Sequence, residues 1–151
     1  MPDLPLPNGG GGIRIQNDAH GNIVGGPSIA NYVAYNTGAG VSLSSGVKAT
    51  QLLGNLIYSN TGPGIELVGT GTTNNLLAGV SVFFNGGDGL TEHNNATLNV
   101  WQSLSVYGNG GLGIDKFDSD SATNTPDAPY PVITSVNAST GLITPVALGT
   151  T

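Results

Sequence analysis

The chain has 151 residues, of which 8% are charged, with 3 Lys+Arg against 9 Asp+Glu and a formal net charge of −6. That balance excludes nucleic-acid binding, which needs clustered Lys and Arg to meet phosphate, and it is too poor in charge for an intrinsically disordered chain. The absence of cysteine removes disulfides, Cys-based zinc sites and thiol chemistry, and no apolar run reaches the ~20 residues of a membrane span.

Residues 1–10 (MPDLPLPNGG) lack the charged and apolar regions of a signal peptide, and Met1 runs almost directly into repeat-like sequence, so the chain reads as a piece of a longer precursor. From Asn8 a segment Asn-x-Gly-x-Gly-[Val/Ile/Leu] recurs, beginning at Asn8, Asn36, Asn60, Asn85 and Asn109, with steps of 28, 24, 25 and 24 residues. A fixed period of this length signals stacked repeats. Within a copy, Ile65-x-Leu67 alternates apolar and polar residues, the pattern of a half-buried strand. The first apolar positions, Ile13, Val41, Ile65, Leu90 and Ile114, should pile inward, with the polar Arg14, Ser42, Glu66, Thr91 and Asp115 outward. The two glycines before this strand are expected to supply backbone conformations that a Cβ would forbid.

A second strand precedes each asparagine, with Val33, Ile57, Val82 and Val106 inward, and a third lies upstream around Leu52, Leu77 and Trp101, for which Ile29 is the expected first-coil equivalent. The long first step is expected to hold an extra loop within Gly21–Ser28. Three short strands per coil of about two dozen residues describe an all-β parallel β-helix, a solenoid of about five coils, each about 4.8 Å apart by ordinary strand spacing. The corner asparagines, with Asn31 and Asn55 at another corner, suit turns because Asn tolerates the left-handed region, and stacked amides can form ladders. An antiparallel sandwich would not require so fixed a register.

The expected organisation is a β-helix over residues 1–116, an aperiodic acidic loop over 117–129, and a hairpin over 130–151. The hairpin strands are expected at Tyr130–Val136 and Leu142–Leu148. The hairpin would cap the last coil, open a following domain, or pair with a neighbouring molecule.

The strings NLIYSNTGPGIEL, SVYGNGGLGIDK and HGNIVGGPSIANYVAYNTGAGV, with the exit GIDKFDSDSATNTPDAPYPVITS, resemble bacterial right-handed parallel β-helix repeat proteins of the secreted or cell-surface modular type. The resemblance covers roughly residues 8–136. It implies right-handedness, an extracellular or cell-surface location, and mostly structural or adhesive roles. A minority of such proteins act on carbohydrates, and the fold does not settle the function. No catalytic motif of those enzymes can be laid residue by residue on this chain.

Candidate chemistry is sparse. Were the chain an enzyme, Glu66, Glu92 and Asp115 would be the acid/base candidates, although scattered surface carboxylates are the plainer reading. Glu92 and Lys116 fall in the register of Ile15, Leu43 and Leu67, one coil apart, where they can form a salt bridge. His20 and His93 read as loop residues without partners. Asp115, Asp118, Asp120 and Asp127, with Asn124, form an acidic cluster that reads more plainly as a solvated exit loop; its oxygens would suit Ca²⁺, although the spacing matches no EF-hand loop, and no other cofactor is expected. Tyr58, Phe83 and Tyr107 form an outward file flanked by Tyr35 and Phe84 that would stack on sugar rings or dock a protein, unless the segment around Tyr130 folds over it. Trp101 is expected in the core. The expected function is a non-enzymatic structural, adhesive or self-assembly module, with a carbohydrate-active β-helix or a carbohydrate-binding module as alternatives. Its partners would be polysaccharide or other copies of itself.

Overall fold

The structure is a computed structural model that describes residues 7–117, 133–137 and 142–145. Its described residues form an all-β parallel solenoid with three strands per coil. Sheet A contains β1 (Ile13–Ile15), β4 (Val41–Ser44), β7 (Ile65–Val68), β10 (Leu90–His93) and β13 (Ile114–Phe117). Sheet B contains β2 (Ile23–Gly25), β5 (Gln51–Leu53), β8 (Leu76–Ala78) and β11 (Val100–Gln102). Sheet C contains β3 (Tyr32–Ala34), β6 (Leu56–Tyr58), β9 (Ser81–Phe83) and β12 (Ser105–Tyr107). All neighbours within these sheets are parallel. The five strands of sheet A bound about four complete turns rather than five coils, and their four spacings give a rod about 19 Å long. Phe117 closes β13 rather than opening the loop. Beyond it, β14 (Ile133–Asn137) and β15 (Leu142–Pro145) pair antiparallel, as a hairpin requires.

The register follows the sequence period. Val41, Ile65, Leu90 and Ile114 are direct partners on successive strands, and so are Leu52, Leu77 and Trp101. Leu43, Leu52, Ile57, Ile65, Leu67, Leu77, Val82 and Leu90 are fully buried and form one continuous core, each worth about 1.5–3 kcal/mol of burial. One expected member is wrong. Val24, not Ile29, pairs with Leu52, and Ile29 is 75% exposed. The four surplus residues of the first coil fall between β2 and β3, where Gly26 and Ile29 form a small turn instead of the two-residue corner used below.

Three corners close each coil, and their logic differs from the expectation. The left-handed residue is not the asparagine but the one before it: Tyr35, Ser59, Phe84 and Gly108 have φ of 61, 53, 55 and 64°. The asparagine that follows turns its side chain inward and joins a ladder. Asn8, Asn36, Asn60 and Asn85 each donate from Nδ2 to Oδ1 of the next, at 2.9, 2.8, 2.9 and 3.0 Å, ending on Asn109. Asn60 shows the full set. Its Oδ1 accepts from the backbone and side-chain nitrogens of Asn36, and its Nδ2 donates to Asn85 and to the Val33 carbonyl. Every donor and acceptor of a buried amide is thus used.

A second ladder, Asn31 to Asn55, gives way to the buried Val80 in the next coil. A third was not foreseen: Asn22 donates to Thr50, the Thr50 backbone to Asn75, and Asn75 to Asn99.

The repeat glycines are also needed for another reason than expected. Gly12, Gly40, Gly64 and Gly89 lie outside the left-handed region, but a Cβ on Gly64 would sit 2.2 Å from Val82 Cγ1 and 2.8 Å from Asn85 Nδ2. They leave room for the valine column and the amide ladder to meet.

Three substitutions test this. Asn60→Ala leaves the buried backbone and side-chain nitrogens of Asn36 without their acceptor and removes one donor each from Asn85 and the Val33 carbonyl, and should cost about 3 kcal/mol in denaturant unfolding. Gly64→Ala should destabilise by about 1–3 kcal/mol through overpacking. Gly79→Ala, at φ 63° with open space around it, should cost only about 1 kcal/mol for its left-handed backbone.

Candidate functional site

The outer surface is divided by charge. Among the described residues the charged side chains are Arg14, Asp18, Lys48, Glu66, Asp88, Glu92, Asp115 and Lys116, and none belongs to a strand of sheet B or C. The outward positions of those two sheets are instead Ile23, Gln51, Leu76 and Val100, then Leu53, Ala78 and Gln102, then Tyr32, Leu56, Ser81 and Ser105, then Tyr58, Phe83 and Tyr107. Ile23, Tyr32, Tyr35, Phe84, Val100 and Tyr107 are among the most exposed large apolar side chains. These side chains are interspersed with the uncharged polar Gln51, Gln102, Ser81 and Ser105.

Tyr58, Phe83 and Tyr107 stand side by side on this face because their strands are in register. Their rings are 5.0 and 5.2 Å apart with interplanar angles of 2° and 3°. Parallel rings at that separation overlap face to face with an offset, so they cover one another along the solenoid axis and turn their edges outward. The expected stripe of sugar-stacking faces is therefore largely consumed within the file, where it ties coils together. The faces left over belong to Tyr107 at the end of the file and to Tyr35 and Phe84, which meet the stack edge-on. Phe84 and Tyr35 hold left-handed backbone, a position costing a bulky residue roughly 1–2 kcal/mol. Their edge contacts offset part of that cost, and Phe84 lies directly across Gly108, where a Cβ would be 2.6 Å from the ring.

The carboxylates do not converge. Glu66 and Asp115 face outward with Thr91 between them, while Glu92 faces inward and is 1% exposed. Glu92 stands where earlier coils have Leu43 and Leu67. Its Oε1 accepts from Asn99 Nδ2 at 2.7 Å, taking the place of the next rung in the third ladder. Its Oε2 lies 3.4 Å from Lys116 Nζ, close enough for an ion pair although not aligned as a hydrogen bond. Lys116 also lies 6.0 Å from the centre of the Trp101 ring, a cation–π distance. Trp101 packs against the core with its Nε1 buried.

His93 is not a loop residue, whereas His20 lies in the connection between β1 and β2, as expected. His93 ends β10 and its Nε2 is 3.5 Å from Glu66 Oε1, while the other oxygen of Glu66 accepts from Ser42 at 3.1 Å. The register Val68–His93 beside Glu66–Thr91 could have disclosed this diagonal pairing. His20 is exposed and bridges to Lys48 in a short parallel column at the A–B corner. Of the acidic cluster, only Asp115 is within the described residues; Asp118, Asp120, Asn124 and Asp127 lie outside them, as does Tyr130. Among the described residues no group of three or more His, Asp or Glu side chains could hold a metal ion. Among the described residues no helix is long and apolar enough to cross a membrane.

No known protein family, curated protein or solved structure matches this chain. The resemblance to β-helix repeat proteins accordingly rests on the solenoid itself.

The buried carboxylate can be tested by replacement. Glu92→Ala should lower stability by about 2 kcal/mol by removing the acceptor of Asn99 and the partner of Lys116. The double variant Glu92→Leu/Lys116→Leu, which continues the inward leucine column, should unfold at or above the wild-type denaturant midpoint.

Proposed function

We propose that the chain is a non-enzymatic structural or adhesive module of an extracellular or cell-surface protein, and that it docks its partner through the outer faces of sheets B and C. The supporting observation is the segregation of charge: every strand of those sheets is uncharged and their surface is aromatic and aliphatic. A neutral polysaccharide meets no charge on such a face, and another copy of this chain, although it also carries a net charge of −6, would bring no like charges together at the contact itself. Edge-on rings, tyrosine hydroxyls and the outlying faces of Tyr35, Phe84 and Tyr107 favour a partner offering C–H groups and hydroxyls in alternation.

A carbohydrate-active enzyme is the alternative reading, and one observation favours it. Glu66, His93 and Ser42 form the one place where acid/base groups meet on the exposed face of sheet A among the described residues. Glu92 and Asp115, the other candidate carboxylates, stand on different sides of the sheet from each other.

The double variant Tyr35→Ser/Phe84→Ser separates the readings, because Ser59 already occupies the same left-handed column and the fold accepts serine there. Wild-type protein should bind members of a neutral glycan array or self-associate in light scattering. The double variant should weaken that association at least about tenfold, or 1.4 kcal/mol, with its unfolding midpoint preserved. Binding that survives the double variant would overturn the proposal. Release of oligosaccharide products by wild type, abolished by Glu66→Gln, would establish the enzyme instead.

A further inference from the structure

Three of the repeat asparagines are followed by glycine: Asn8-Gly9, Asn85-Gly86 and Asn109-Gly110. An Asn-Gly pair is the dipeptide most open to spontaneous deamidation, because glycine puts no side chain in the way of its own nitrogen. In that reaction the glycine nitrogen attacks the asparagine Cγ and loses its proton, and the side-chain amide leaves as ammonia. The cyclic imide then takes up one water, which opens either C–N bond to give aspartate or isoaspartate. Water is the only co-reactant.

The solenoid treats the three pairs differently. At Asn85 the side chain is 2% exposed, and its amide is fixed by bonds to Asn109 and the Ile57 carbonyl. The nitrogen that would attack, that of Gly86, donates to the Asn60 carbonyl at 2.7 Å. Asn109 is half-buried, donates to the Val82 carbonyl, and is followed by Gly110 N bonded to the Asn85 carbonyl at 2.8 Å. Asn8 is exposed and holds a single ladder bond, to Asn36. Gly9 N meets no backbone acceptor among the described residues, and open space surrounds Gly9.

We propose that Asn8 is a site of spontaneous deamidation in the folded protein, and that the amide ladder protects the chemically identical pairs at Asn85 and Asn109. The product matters because Asn8 is the first rung of the ladder among the described residues. A carboxylate at position 8 has no N–H to give Asn36 Oδ1, and the two oxygens repel. Isoaspartate also lengthens the main chain by one carbon, which shifts the first corner out of register with Gly38, whose nitrogen bonds the Gly10 carbonyl. Chemical ageing thus loosens the module from its first rung.

The experiment is to hold the full chain at mildly alkaline pH, folded or in denaturant, and follow each Asn-Gly peptide by mass spectrometry. In the folded chain the peptide containing Asn8 should gain the mass of NH2 replaced by OH at least about tenfold faster than that containing Asn85, since reaction at Asn85 must await opening of the coil. Asn109 should fall between them, and in denaturant the three rates should converge. Gly9→Ala, which the open space at Gly9 accommodates, should slow conversion at Asn8 and leave the unfolding midpoint in place. Equal rates at Asn8 and Asn85 in the folded chain would overturn the proposal, as would an Asn8 that is stable when folded but reactive when unfolded.

Discussion

The fold depends on a buried amide that must find the same amide one coil away. Asn60 accepts twice from Asn36 and donates to Asn85 and Val33, so each rung is satisfied only if the chain returns to the same column after every turn. An apolar column tolerates sliding, because dispersion is not directional. An amide ladder does not, because a rung out of place leaves donors and acceptors buried and unpaired. The hydrophobic columns supply most of the favourable free energy, and the ladders fix the register. The surplus in the first coil obeys this constraint: its extra residues emerge in a turn between β2 and β3, and Asn31 still reaches Asn55.

From that constraint the division of the surface follows. Strands of three residues offer one inward and two outward positions in sheets B and C, and this chain fills the outward ones without charge. In register, like residues become neighbours, so a column of charge would repel itself at strand spacing, whereas a column of aromatic rings gains contact. Tyr58, Phe83 and Tyr107 are placed by the same repeat that places the asparagines. On sheet A the charges are interleaved with neutral residues, as in Ser42, Glu66, Thr91 and Asp115. Among the described residues the inward file of sheet A, apolar in its earlier coils, becomes charged at Glu92 and the half-exposed Lys116.

Much of this architecture is legible in the amino-acid sequence, because a period of about 24 residues forces like positions together whatever their chemistry. The inward files at Val41, Ile65 and Leu90 and at Ile57 and Val82 are direct products of that period. The departures arise where the period alone does not determine the surroundings of a residue. Ile29 looks like a core residue until the chain leaves the column to form a turn. Gly64 looks like a conformational hinge, yet its need for glycine comes from Val82 and Asn85 on another corner. The Thr50 step conceals the third ladder, because threonine replaces an asparagine there. The candidate site was legible as positions but not as orientations: the order of Tyr58, Phe83 and Tyr107 is set by the repeat, whereas the direction of their faces is set by contact between rings.

One feature of the ladders reaches beyond stability. Each side-chain amide gives its hydrogen to the coil that follows and receives one from the coil before. Backbone dipoles in a sheet alternate and largely cancel, but these amides all point the same way, so their dipoles add along the rod. Each ladder is electrically directional: among the described residues the first runs from an acceptor pole at Asn8 to a donor pole at Asn109, and the third reaches its donor pole at Asn99. Glu92 sits at the donor pole, receiving the hydrogen of Asn99, as an anion sits at the positive end of an α-helix.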